Sequence, residues 1–220
     1  MQALETLEIS SGGKVDAAII WLHGLGADGH DFASVVEELR LPGVRFILPH
    51  APQRPVTING GYMMRAWYDL LGLEINSPQD EVGIRASQAL IEALIAAEQQ
   101  RGIQPQRIVL AGFSQGGAIA LHTGLRHPQR LAGILALSTY IPLKPALAGE
   151  IHPANRDLPI FMAHGSFDNV ISLPISQVSA SLLTQHGYKL DWHEYPMAHS
   201  VCLEEITDIR KFLCKILGLD

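Results

Sequence analysis

At 220 residues, with a net charge of −6 and a pI of about 5.9, the chain has room for one extensive core and carries no basic run, which excludes a nucleic-acid or anionic-membrane surface. Its first ten residues, MQALETLEIS, hold two glutamates and lack the basic and apolar regions of a signal peptide, and no stretch reaches transmembrane length. Cys202 and Cys214 stand twelve residues apart in what reads as one terminal helix, about 18 Å along its axis; they do not pair, and a reduced, cytoplasmic setting is expected.

Residues 4–9 read as an edge strand, and the apolar run Ala17–Leu22 as a buried one that ends at His23-Gly24. The following Gly24-Leu25-Gly26-Ala27-Asp28-Gly29 matches the G-x-G-x-x-G dinucleotide fingerprint. This is the alternative reading, a Rossmann-type protein. It requires an acid at the end of the next strand to hold a ribose hydroxyl, and residues 44–48 are followed instead by Pro49-His50-Ala51-Pro52. Residues 53–77 contain no long periodic element, and Gly60, Gly61 and Gly72 interrupt an aromatic-rich stretch. Such an excursion reads as a lid or binding wall within a single domain spanning 1–220. At only about 25 residues it is too short for a large cap domain. Ser77-Pro78-Gln79-Asp80 then supplies an N-cap, a proline at the first helical position and an acid in the first turn. The helix that follows has Ile84, Leu90, Ile91, Leu94 and Ile95 as its buried stripe and ends near Arg101-Gly102.

Ile108, Val109, Leu110 and Ala111 lack polar alternation, as in a strand buried on both faces, and helical spacing begins at Gly117. Ser114, within Gly112-Phe113-Ser114-Gln115-Gly116, therefore falls in a sharp turn between strand and helix. That is the context a G-x-S-x-G motif needs to expose a strained serine hydroxyl at the head of a helix. Gly133–Leu137, residues 159–163 and Leu190–Tyr195 read as further strands, Leu173–Gln185 as a helix, and a last helix runs through Leu217. Alternating strands and helices predict an α/β protein with an open, mainly parallel sheet.

In such a sheet the loops after the strands open on one edge, and four of them carry the Leu25 loop, Ser114, Asp168 and His199. A serine nucleophile needs a base, and the base needs an acid to fix its tautomer; the order Ser, Asp, His is that of α/β-hydrolases. Of ten histidines, His122, His127, His186 and His193 are expected to be surface or satisfied residues, and His23 and His164 to brace their loops. Asp157, Asp69 and Asp191 do not follow a buried strand on the active edge after the serine, as Asp168 does. No H-E-x-x-H or paired Cys/His spacing occurs, and no metal is expected.

These segments, with Leu22-His23-Gly24-Leu25-Gly26, Arg65-Ala66-Trp67-Tyr68-Asp69, Ala136-Leu137-Ser138, His164-Gly165 and His199-Ser200, closely resemble the carboxylesterase and acyl-protein thioesterase family of α/β-hydrolases over nearly the whole chain. The resemblance implies the α/β-hydrolase fold with helices on both faces of the sheet. It also implies Ser114 as nucleophile with Asp168 and His199 as partners, and the backbone N–H groups of Leu25 and Gln115 as oxyanion hole. Carboxylic esters would be the substrates, thioesters or lysophospholipids in some members, without a cofactor. Small acyl esters or thioesters and acylated proteins are then the partner classes, and monomer and homodimer both stay open. Two residues depart from the family pattern, Asn169 in place of a proline after the acid and Ala198 in place of a glycine before the histidine, which bears on loop rigidity. Trp67, Leu70, Leu71 and Leu73 from the excursion, with Tyr140 and Ile141, are expected to form an apolar wall beside Ser114 that favours short- to medium-chain acyl groups.

Overall fold

Continuous apolar runs become strands buried on both faces, and periodic stretches become helices. In the computed structural model, which describes residues 4–10, 12–72 and 77–219, the elements run β1 (Thr6–Ser10), β2 (Ala17–Leu22), α1 (Ala33–Leu39), β3 (Val44–Pro49), β4 (Gln53–Val56), β5 (Tyr62–Arg65), α2 (Glu81–Gln100) and β6 (Ile108–Phe113). Then follow α3 (Gln115–Arg126), β7 (Gly133–Leu137), α4 (Lys144–Glu150), β8 (Ile160–Gly165), α5 (Leu173–Gln185), β9 (Leu190–Tyr195) and α6 (Leu203–Leu217). Among the described residues one sheet has the order β1-β3-β2-β6-β7-β8-β9, and β4 with β5 makes a separate hairpin. Within the main sheet β1 pairs antiparallel with β3, and the other neighbours are parallel.

The alternation of side chains along each strand divides the core in two. Ile108 and Leu110 of β6 face a layer that holds Ile84 and Ile91 of α2, Ile119 of α3 and Leu183 of α5. Val109 and Ala111 face the opposite layer, closed by Val36 and Leu39 of α1 and Ile209 and Leu213 of α6. Both faces are covered, which is why these strands read as unbroken apolar runs.

The helix after the excursion begins later than its sequence suggests. Asp80, not Ser77, is the N-cap, accepting from Gly83 N at 2.9 Å, and α2 starts at Glu81. Asp80 also accepts from Asp69 N at 2.9 Å, so the acid expected in the first turn fastens the excursion to the helix. Ile84, Ile91 and Ile95 are buried; Leu90 and Leu94 are only partly so, and Gly83, Ser87 and Glu98 complete the inner face. The short α4 falls where no helix was expected.

From β2 the chain turns to β3 on one side and later resumes at β6 on the other. The strand order therefore reverses between β2 and β6, and residues 23–25 and 113–115 open on one crevice at their carboxyl ends, the usual ligand position in open α/β sheets.

Candidate active site

Ser114 occupies φ 55°, ψ −120°, a conformation that costs a non-glycine residue about 1–3 kcal/mol and persists only where its surroundings enforce it. Three hydrogen bonds do so: Ser114 N donates to Leu137 O at 2.8 Å, and Ser114 O accepts from Thr139 Oγ1 at 2.6 Å and Ala118 N at 3.1 Å. The flanking glycines are obligatory. A Cβ on Gly112 would collide with the Gly116 carbonyl, and one on Gly116 with the carbonyls of Leu22 and His23.

Asp168 and His199 come together across two loops. Asp168 Oδ2 lies 2.7 Å from His199 Nδ1, while its Oδ1 accepts from Val170 N and Ile171 N, each at 2.9 Å. With Nδ1–H turned to the carboxylate, the lone pair of His199 sits on Nε2. The imidazole packs on Phe113, the residue before Ser114, with ring centroids 4.7 Å apart. The two loops are stitched together by Ser166 N to Tyr195 O (2.8 Å) and Phe167 N to Met197 O (3.0 Å), close to Asn169 and Ala198, the two residues that depart from the family pattern.

Most of the remaining candidate acids and bases are engaged elsewhere. Asp157 pairs with Arg130, Asp191 with His193, and Asp69 accepts from Thr57 N and Oγ1. His23 is a brace: Nδ1–H donates to Gly24 O at 2.6 Å, Nε2 accepts from Ala51 N at 3.0 Å, and burial holds its pKa down at about 4. His164 is fully buried, donates through Nε2 to Ile171 O at 2.7 Å, and is likewise lowered by burial. His122 departs from expectation. It is neither a surface nor a satisfied residue: it is buried, neither ring nitrogen has a partner among the described residues, and burial lowers its pKa to about 3. His127 is buried too.

Ser114, Leu25 and Gln115 line one cavity of about 90 Å³. No acceptor among the described residues takes the main-chain N–H of Leu25 or Gln115. Leu70, Leu71 and Tyr140 line the same cavity, but Trp67 and Ile141 do not. Trp67 is wholly buried, its indole donating to His23 O at 2.9 Å, because its polar end finds a partner only inside the core. Ile141 is wholly buried as well, its amide donating to Ser179 Oγ at 3.0 Å. Leu73 lies outside the described residues. Tyr68 takes a place in the wall that sequence reasoning missed, its hydroxyl 2.8 Å from that of Tyr140. No local period marked it: Trp67 and Tyr68 lie outside any strand, and both are buried in the same core layer. The Gln115 side chain was missed as well. Its Oε1 accepts from Trp67 N and its Nε2 donates to Tyr68 O, both at 2.8 Å.

The glycine loop does not form a phosphate cradle. Gly26 N donates to Arg65 O and Gly29 N to His50 Nδ1, and the helix starts only at Ala33, so the dinucleotide reading finds no support. Asp28, His30 and His50 do bring potential metal-ligand atoms within 4.8 Å of one another. Because His50 Nδ1 accepts from Gly29 N, however, its Nε2 carries the proton and offers no lone pair to a cation.

A family model described as Phospholipase/Carboxylesterase matches residues 5–217. Acyl-protein thioesterase 1 of Neurospora crassa is 44% identical over 214 residues, covering 91% of this chain and 87% of that protein. The protein of the same name from Gibberella zeae is 43% identical over 213 residues, 91% of each chain. Among solved structures, Zea mays acyl-protein thioesterase 2 superposes with a TM-score of 0.89 at 29% identity, over 97% of this chain and 99% of that one. The fold is that of the α/β-hydrolases, with no large cap domain among the described residues.

Proposed function

This chain belongs to the phospholipase/carboxylesterase family of serine hydrolases, and on that premise we propose that it cleaves short- to medium-chain acyl esters and thioesters through an acyl-enzyme on Ser114. The observation that carries the reading is the 2.7 Å contact between Asp168 Oδ2 and His199 Nδ1, on the edge of the sheet where Ser114 shares a cavity with two unengaged amides. His199 Nε2 takes the Ser114 proton as Oγ adds to the acyl carbonyl carbon, and the resulting oxyanion accepts from the N–H groups of Leu25 and Gln115. Collapse of the tetrahedral intermediate breaks the bond to the alcohol or thiol, which leaves with the proton held by His199. Water then repeats the sequence, and the acid departs. Asp168 holds the imidazole in the productive tautomer and stabilises its cationic form.

Leu70, Leu71 and Tyr140 offer the acyl chain an apolar wall, and the modest cavity favours short and medium chains. An acylated protein and a small ester both present the same acyl group to it. Two free thiols, Cys202 and Cys214, fit a reducing, cytoplasmic setting, and no helix among the described residues is long and apolar enough to cross a membrane. The test is a fluorophosphonate probe followed by acyl esters and thioesters of graded length. Ser114 should be labelled in the wild type, and Ser114→Ala should take up no label. Labelling at another serine, or no turnover of either series, would overturn the reading.

A further inference from the structure

We propose that Lys144 makes the cavity beside Ser114 selective for acyl groups that end in a carboxylate. This deepens the proposed hydrolytic reading and rests on the cavity being its acyl site. Among the side chains that line the cavity, Lys144 is the one with a positive charge. The acid in the same wall, Asp69, makes no ion pair with Lys144: its carboxylate accepts from the Thr57 amide at 2.7 Å and hydroxyl at 2.6 Å, and the nearby Arg54 guanidinium offsets its charge. No carboxylate among the described residues pairs with Lys144, whereas Arg45 and Arg126, which also reach into the protein, are matched by Glu98 and Glu150.

Its location is unfavourable for a solitary cation in three ways. Lys144 is half-buried, and that burial depresses its pKa. It opens α4, the end of a helix at which the backbone dipole disfavours positive charge. Much of the wall it shares is apolar, with Val170, Ile171 and Ile175 among its residues. The residue is also held in place: Leu143 N donates to Gln79 Oε1 at 2.6 Å, and Pro145 follows directly. A positioned, partly desolvated ammonium that pairs with no carboxylate among the described residues is a site for an anion. An acyl chain esterified to Ser114 and lying in this cavity brings its remote end into a compartment whose one positive charge is Lys144. A terminal carboxylate there gains a charge-assisted hydrogen bond that a terminal methyl group does not.

The experiment compares kcat/KM for monoesters of straight-chain dicarboxylic acids with that for methyl-ended esters of equal length, both with the same uncharged leaving group and with uncatalysed hydrolysis subtracted. A third series pairs a neutral acyl group with a sulfonated leaving group. The wild type should prefer the carboxylate-ended series, and Lys144→Met should lower the ratio of carboxylate-ended to methyl-ended by about ten- to a hundredfold, chiefly through KM. Lys144→Gln should do the same, Lys144→Arg should keep most of the preference, and raising salt to about 0.5 M should erode it in the wild type. A ratio near one in the wild type, a ratio that Lys144→Met leaves unchanged, or a loss confined to the sulfonated series would overturn the assignment. Failure of the wild type to turn over any of the three series would instead overturn the hydrolytic reading beneath it.

Discussion

Gln115 Oε1 accepts a hydrogen bond from the Trp67 amide at 2.8 Å, and the same side chain donates to Tyr68 O at 2.8 Å. The residue after Ser114 thus grips the backbone of the pocket wall, and Ser87 Oγ, donating to Trp67 O, grips it from α2. Gln115→Leu keeps the backbone N–H of position 115 but strands a buried donor and a buried acceptor, at about 1–3 kcal/mol each. Urea unfolding should show a loss of about 2–4 kcal/mol, accompanied by a higher KM as Tyr68 loosens. A stability change below about 0.5 kcal/mol would show that the wall stands without the clamp.

Ser114→Ala and His199→Gln should each lower kcat by about 10⁴-fold or more, and Ser114→Ala should leave the melting temperature nearly unchanged, because its small side chain carries little packing. Asp168→Asn tests the orienting acid. Its remaining oxygen can still accept from Val170 N and Ile171 N, but an amide –NH₂ facing His199 Nδ1 favours the wrong tautomer. A folded Asp168→Asn protein with more than a tenth of wild-type kcat would contradict the assignment.

Acyl-chain length separates wall from core. Each methylene buried is worth about 0.8 kcal/mol, so kcat/KM should climb with chain length, peak when the cavity is full, and fall. Leu71→Ala and Tyr140→Ala should flatten the climb with little loss of stability, since both line the cavity. Trp67→Ala should behave in the opposite way, costing about 3–5 kcal/mol of stability through the void it leaves. A chain-length profile identical in Leu71→Ala and wild type would move the acyl site elsewhere.

Stability should describe a dome against pH. His23 and His122 are held by burial at about 4 and about 3, below the ordinary 6.5. The folded state therefore resists protons that the unfolded chain accepts, and their contribution is complete above about 6.5 and is lost as pH falls toward 4 and 3. Glu205 has the opposite sign. Burial, opposed in part by the Cys202 backbone, pushes its carboxyl up from 4.5 to about 8, so its contribution is complete below about 4.5 and is lost as pH rises through 8. In melting curves from pH 4 to 9, Glu205→Gln should remove the alkaline decline, on the order of a few kcal/mol, and leave the acid side in place. An alkaline limb unchanged by that substitution would assign it to another group.

Local information determined most of the architecture. Apolar runs without alternation, such as residues 108–111, read as strands covered on both faces, and the change of period at Gly117 located the turn that bends Ser114 into φ 55°. Asp168 and His199 were legible because they follow the ends of β8 and β9, and strand ends in a parallel sheet share one edge. What the tertiary structure alone decided concerns residues whose partners are remote in sequence. Whether Trp67 or Tyr68 faced the cavity depended on a carbonyl at His23 and an amide at Gln115, more than 40 positions away. Asp80 rather than Ser77 capped α2 because it also had to accept from Asp69 N. Lys144 lines the cavity beside Ser114 at the head of α4, where Leu143 N is bonded to Gln79, 64 positions earlier. Period and turn chemistry act over a few residues and leave a pattern in the sequence, whereas the side of a loop that turns inward is set by which distant donor or acceptor would otherwise be buried without a partner.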